Sequence, residues 1–180
     1  MVKILDLGCG KNKIKKEDAT VIGIDNNPEG EADIIHNLNK FPYPFRNNEF
    51  DEIICFDILE HLEDIPSVVK EIYRIGKPGA IVKIRTPHFS SPYASMDPTH
   101  LRGFSVFSFD CFCKNKKIIP HNINWELFLI KKRKIIFPKP MRTIGILIDL
   151  LANKFPLRYE QYFAYLFQAE NIYLELEILK

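Results

Sequence analysis

Short apolar runs separated by turn residues organise the first half of the chain. Val2 to Leu7 reads as a strand that ends in Gly8-Cys9-Gly10. Lys11 to Asp18 is polar, a short helix or a loop. Thr20 to Ile24 is rich in β-branched residues and predicts a second strand, stopped by Asp25-Asn26-Asn27-Pro28. Ala32 to Ile35 is a weak third strand, and Phe50 to Phe56 a fourth. Ile65, Val68, Val69, Ile72 and Tyr73 then recur at helical spacing. Asp64 is placed to cap that helix, and Pro66 sits in its first turn. Gly76, Pro78 and Gly79 end it, and Ala80 to Arg85 forms a fifth strand. Strands alternating with turns and a helix predict an α/β fold with a mostly parallel sheet.

The second half is less regular. Pro87 to Phe109 mixes His, Ser, Pro and aromatic residues, as a pocket-forming loop does, and Ser105 to Cys113 suggests a short helix. Trp125 to Phe137 reads as one long, bent strand. Thr143 to Asn153 carries Ile144, Leu147, Ile148 and Leu151 at helical spacing. Ile172, Leu174, Leu176 and Ile178 alternate with Tyr173, Glu175 and Glu177, the pattern of a half-buried strand with a wet face or an edge. Ile144 to Leu151 is too short to cross a bilayer, though a helix of that kind can lie on one.

Composition narrows the class. The chain has 180 residues, 46% hydrophobic and 27% charged. That suits one domain, residues 1–180, with a real core, and argues against a disordered chain. The net charge of +2 gives no global case for nucleic acid or membrane. Cysteines fall at 9, 55, 111 and 113. A lone C-x-C is neither a structural zinc site nor a disulfide framework, so a reducing, cytoplasmic setting is expected. The N-terminus shows no signal-peptide pattern. Asp97, His88 and His100 are metal-ligand types, but nothing in their spacing fixes a geometry, and no metal is assigned.

The strongest local feature is Asp6-Leu7-Gly8-Cys9-Gly10, directly after the first strand. Glycines there let a backbone approach a ligand closely, and ligands in open α/β sheets bind at the carboxyl ends of strands. Asp25 closes the second strand, where a carboxylate can accept both hydroxyls of a ribose. A tight turn and a capping acid would explain the same residues; together, at adjacent strand ends, they point to a nucleoside-containing ligand. The turn is no G-x-G-x-x-G, and the chain has no G-x-x-x-x-G-K-[ST], so dinucleotides and ATP fit poorly.

These residues resemble those of class I S-adenosylmethionine-dependent methyltransferases, of the small type 11-like kind. Asp6 to Gly10 resembles the first motif and Ile22-Gly23-Ile24-Asp25 the second. Asn37-Leu38-Asn39 is similar to the segment flanking the adenine. Phe50 to Leu62, ending in Leu59-Glu60-His61, is similar to the fourth strand and its exit, and Gly76-Lys77-Pro78-Gly79-Ala80 to the turn before the fifth. The resemblance covers about residues 2 to 86. It implies a Rossmann-like, mostly parallel seven-stranded sheet with an antiparallel last strand, here lacking the usual N-terminal helix. It also implies a closing hairpin from Trp125–Ile136 and Ile172–Leu179, with residues 87–123 and 138–168 as substrate-side or sheet-covering inserts. The implied cofactor is S-adenosyl-L-methionine. Asp6, Gly8, Cys9 and Gly10 would border its methionine and ribose portions, and Asp25 would hold the ribose hydroxyls. Asn26, Asn37 and Leu38 would meet the adenine, and Phe56 and Asp57 the sulfonium end. His61 is expected to be cofactor-adjacent or structural. An asparagine stands at position 37 where related sequences commonly carry Asp.

Thr86 to Tyr93 and Asp97 to Arg102 supply the acceptor-side candidates. His88 and His100 are the candidate bases, since imidazole titrates near neutral pH. Arg102, suited to a carboxylate or phosphate, and Tyr93 are candidates to bind substrate. Each also fits a hydrogen-bonded loop role. From Lys114 to Arg142 there are nine Lys or Arg and one acid, Glu126. Three readings stand for that 114–142 segment: a solvated face, an attractor of an anionic acceptor, or a contact with membrane or RNA. The aromatic stretch after it also suits a homodimer contact. The expected activity is methyl transfer to a small-molecule or glycan- or lipid-like acceptor; the alternatives are an RNA methyltransferase and a non-catalytic nucleoside-binding scaffold.

Overall fold

The computed structural model describes residues 1–115, 125–138 and 144–180. Parts of the 114–142 segment and of both inserts therefore lie outside the described residues. The strands are β1 (Val2–Leu7), β2 (Ala19–Asp25), β3 (Ile34–Ile35), β4 (Phe50–Phe56), β5 (Gly76–Pro87), β6 (Phe128–Ile136) and β7 (Asn171–Ile178). The helices are α1 (Ile65–Ile75), α2 (Tyr93–Met96), α3 (Ile144–Lys154) and α4 (Pro156–Tyr162). One seven-stranded sheet results, in the order β3-β2-β1-β4-β5-β7-β6. β1 to β5 pair in parallel, whereas β7 runs antiparallel to both β5 and β6. This is the Rossmann-like sheet with one reversed strand that the motifs imply.

Local chemistry accounts for the element ends. Asp64 accepts the Ser67 N–H at 3.1 Å and caps α1, whose Ile65, Val68, Val69, Ile72 and Ile75 are buried. The expected turn at 76–79 belongs instead to β5, because Gly76 already pairs with Phe50 before the register shifts at Glu52. The weak third strand shrinks to two residues. The long strand after Trp125 starts at Phe128 and carries an irregularity at Lys131. Lys11 to Asp18 is a loop, as a segment without an apolar stripe should be. Ser105 to Cys113 holds only one 3-10 turn, at 110–112. α4 had no predicted counterpart.

The two sheet faces differ. One buries the core: Leu5, Leu7, Ile53, Cys55, Val82, Ile84, Leu174 and Leu176 pack with α1 and with Phe104, Phe107, Phe109 and Phe112 of the loop after β5. The other face is polar over β4, β5, β7 and β6. There Glu52 pairs with Lys83 at 3.0 Å, Lys132 with Glu175 at 3.5 Å, and Lys131 with Glu177 at 2.8 Å. Over β1 and β2 the 11–18 loop crosses it. Lys13 reaches Asp33 at 2.8 Å, and the Ile14 N–H donates to Asp6 at 2.8 Å. Parallel sheets are usually covered on both faces and read as unbroken apolar runs. Alternation in β5, with Ile81, Lys83 and Arg85 between Ala80, Val82 and Ile84, records a face left to water.

The outer strand β6 is not left with a bare edge. Asn153 of α3 accepts the Ile135 N–H at 2.8 Å and donates to the Ile135 carbonyl at 3.0 Å. Asn115 does the same for Ile130, at 2.8 and 3.0 Å. Each side-chain amide takes the place of a neighbouring strand's peptide group.

Candidate cofactor and acceptor site

The carboxyl ends of β1, β2 and β4 surround a cavity of about 350 Å³, lined by Asp25, Asn26, Asn37, Leu38, Asn39, Ile58, His61, Leu62 and Thr99. Gly8 and Gly10 make the turn behind two of its lining residues, Ile58 and Asp25, with φ of 77° and 53°. A β-carbon at Gly8 would lie 2.3 Å from Ile58 Cγ1, whereas one at Gly10 would meet nothing within 4 Å. Gly8 is therefore demanded by packing as well as by backbone angle, and Gly10 leaves open space.

Asp25 ties this turn to the end of β2. One carboxylate oxygen accepts the Gly10 N–H and the other the Asn27 N–H, each at 2.9 Å. Each oxygen keeps a lone pair for a further donor, so a pair of vicinal hydroxyls fits without breaking the turn. Leu38 is buried and offers an apolar wall, while Asn37 and Asn26 are exposed at the rim. Asn37 holds its own turn through the Asn39 N–H at 2.9 Å. These residues fit a ribose and a planar base.

The other expected contacts divide. Asp6 is buried, and that burial pushes its carboxyl up; its role is to anchor the 11–18 loop through Ile14. Burial also pushes the Cys9 thiol up, to about 11, so Cys9 is a neutral packing residue beside the turn. Phe56 and Asp57 are engaged by Arg85. Its guanidinium lies 4.7 Å from the Phe56 ring centre and pairs with the Asp57 carboxylate.

The structure separates the two candidate bases. His88 has no exposed surface; its Nδ1 lies 2.7 Å from Ser90 Oγ and its Nε2 3.2 Å from Glu160 Oε1. Glu160 also accepts from Ser105 Oγ and from the Val106 N–H. In this conformation His88 is a join between the end of β5, the following loop and α4, and offers no nitrogen to an acceptor. His100 is nearly buried and packs instead against His61, which lines the cavity. Its ring centre is 4.6 Å from that of His61, and Thr99 Oγ1 is 2.9 Å from His61 Nδ1. Arg102 donates to the Glu63 carbonyl at 2.9 Å, which fastens this loop beside α1, and Tyr93 is exposed on α2.

Sequence reasoning did not place Ile58, Leu62 or Thr99 in the cavity wall, nor Glu160 beside His88. Thr99 stood within the Asp97–Arg102 cluster and Ile58 beside Leu59-Glu60-His61, so their signal was proximity to singled-out residues. Glu160 gave none, since it is 72 residues from His88.

Residues 5–84 match the model of a family described as "Methyltransferase domain". The chain is 30% identical over 125 residues to a sterol 24-C-methyltransferase of Aspergillus fumigatus, covering 56% of this chain and 32% of that protein. It is 33% identical over 104 residues to a ubiquinone biosynthesis O-methyltransferase of Pseudomonas entomophila, covering 47% of this chain and 44% of that one. The chain thus spans less than half the length of these curated relatives. Its fold is similar to that of a SAM-dependent methyltransferase from Archaeoglobus fulgidus, with a TM-score of 0.60, 18% identity, and coverage of 98% of this chain and 86% of the other.

Proposed function

We propose that this chain carries a class I S-adenosylmethionine-dependent methyltransferase domain, and that it transfers a methyl group from S-adenosylmethionine to a small apolar or amphiphilic acceptor, of a lipid-like kind. The observation that carries the cofactor half is Asp25, held at the strand end by two N–H groups, above a glycine turn and beside a cavity walled by Leu38. When bound, the cofactor supplies a methyl carbon on a positively charged sulfur. Asp25 would hold its ribose, Leu38 and Asn37 its base, and the turn from Gly8 to Gly10 its amino-acid end. The protein's own contribution is alignment, with removal of a proton where the acceptor is a hydroxyl.

The acceptor class is supported by what adjoins the end of β5. Phe89 meets Tyr165 with ring centres 5.8 Å apart, and the Ala169 N–H donates to Ser90 Oγ at 3.2 Å. From there an apolar surface spreads over α3, α4 and 163–167, where Leu147, Leu150, Leu151, Phe155, Phe163 and Leu166 are all exposed. Ile148, Ala152, Phe155, Tyr159 and Phe167 line an apolar cleft of about 260 Å³ within it. Such a surface suits an apolar acceptor, or the lipid phase that holds one. The two relatives are named a sterol 24-C-methyltransferase and a ubiquinone biosynthesis O-methyltransferase. An RNA reading draws less support, because Lys131, Lys132 and Arg133 are each paired with an acid, Glu177, Glu175 and Asp110.

Calorimetry with S-adenosylmethionine tests the cofactor half. Asp25→Ala should weaken binding by on the order of ten- to a hundred-fold, the loss of one or two charge-assisted hydrogen bonds, while the protein stays folded by circular dichroism. No binding by folded wild-type protein would overturn the reading. Binding without turnover on apolar or amphiphilic acceptors would point to the scaffold alternative.

A further inference from the structure

We propose that Glu60, His61 and His100 form a binding site for a divalent transition-metal ion beside the cofactor cavity. One ligand atom from each residue lies within 4.8 Å of the other two. An ion with bonds of about 2.1 Å holds its ligands no more than about 4.2 Å apart, so at most a small side-chain turn closes the set.

The second observation is a pair of buried polar atoms with no hydrogen-bond partner among the described residues: Glu60 Oε1 and His100 Nδ1. Glu60 is 1% exposed, and the His100 side chain 9%. Buried polar atoms are nearly always partnered. Two orphans in the same three-residue cluster mark a place where something else belongs.

The surrounding hydrogen bonds prepare neutral imidazoles. Thr99 Oγ1 donates its one hydrogen to Asp97 Oδ1 at 2.6 Å, so its 2.9 Å contact with His61 Nδ1 must be donated by the ring. That leaves the lone pair of His61 on Nε2, the form a metal requires. Asp97 also faces His100 Nε2 at 3.8 Å, which favours the proton there and the lone pair on the orphaned Nδ1. The other oxygen of Glu60 accepts from Thr86 Oγ1 at 2.9 Å, and the Leu101 N–H donates to the Glu60 carbonyl at 2.8 Å. Carboxylates and hydroxyls behind the ligands are the outer shell that orients metal-binding histidines.

Two imidazoles and a carboxylate select Mn²⁺, Fe²⁺, Co²⁺ or Zn²⁺ over Mg²⁺ or Ca²⁺, which prefer oxygen throughout. Three protein ligands leave positions open. His61 and Thr99 line the cofactor cavity, so an acceptor oxygen can occupy one of them. That use rests on the methyl-transfer reading; binding of the ion does not.

The test is titration of the full chain with Mn²⁺, followed by loss of the free-ion paramagnetic resonance signal, and with Co²⁺, followed by visible absorption. One ion per chain should bind, and Glu60→Gln and His100→Ala should each weaken it at least about tenfold. Asp25→Ala should leave metal affinity unchanged while weakening the cofactor. Metal binding by a protein that ignores S-adenosylmethionine would keep this site and remove the methyl-transfer reading. No Mn²⁺ or Co²⁺ binding up to about 1 mM, or binding that the variants leave untouched, would overturn the proposal and leave a bridging water as the occupant. Circular dichroism melts check folding; should Glu60→Gln fail to fold, His100→Ala and His61→Ala decide.

Discussion

At the scale of single residues, the glycine turn shows how one sequence pattern can serve two different needs. Gly8 and Gly10 both have positive φ, yet a β-carbon at Gly8 would strike Ile58 and one at Gly10 would enter open space. Gly8→Ala should therefore cost stability on both counts, roughly 2–4 kcal/mol from backbone strain and overpacking. Gly10→Ala should cost only about 1 kcal/mol and should show chiefly as weaker cofactor binding. Urea unfolding of both variants checks this; equal losses would mean that Ile58 simply moves aside. His88 teaches the converse. Its residue type marked it as a base, but its burial and its contacts with Ser90 and Glu160 make it a structural joint.

At the scale of elements, the outer strand is the point of vulnerability. β6 carries Lys131, Lys132 and Lys134, charges that discourage pairing with another chain. Asn115 and Asn153 then satisfy backbone groups of Ile130 and Ile135. Asn153→Ala removes two such bonds and should cost about 1–3 kcal/mol, with increased light scattering near the melting transition as the edge is bared. A variant as stable and as soluble as the wild type would show that water replaces the amide without penalty. α3 and β6 were both legible from periodicity and alternation. The bond between them was not, because an Asn at the end of a helix carries no local sign of which strand it will meet.

At the scale of the whole molecule, the sheet is covered by its core layer on one side and by ion pairs and a short loop on the other. Two carboxyls at the margins of the sheet are held down by cationic neighbours and backbone N–H groups. Lys13 and the Gly23 N–H hold the Asp33 carboxyl below the usual range, and Lys77 and the Lys3 N–H do the same for Asp51. An acid depressed on folding stabilises the fold above its unfolded value, about 4, and that contribution is lost as pH falls through the folded value. Asp6 and Glu60, raised by burial, work the other way: their contribution grows as pH falls toward about 4 from above. The melting temperature should accordingly drop below about pH 4, and Asp33→Asn or Asp51→Asn should flatten that drop. Thermal melts from pH 3 to 7 check it; variants that lose stability in parallel with the wild type would show that other carboxylates carry the acid transition.

The sequence by itself determined the parallel sheet, the helix after β4, the last strand, the glycine turn and the acid that faces it, whereas the closing hairpin came only from the family resemblance. Those follow from short-range rules: alternation, helical spacing, capping, and the freedom of glycine. Tertiary structure alone decided that His88 is sealed and that His61 lines the cavity. It also brought Glu60 to His100 and opened one sheet face to water. The physical reason is separation along the chain. His88 is fixed by Glu160, and Glu60 faces a loop that begins nearly forty residues later. Contacts of that span depend on how the sheet and its loops close together, which no local pattern records.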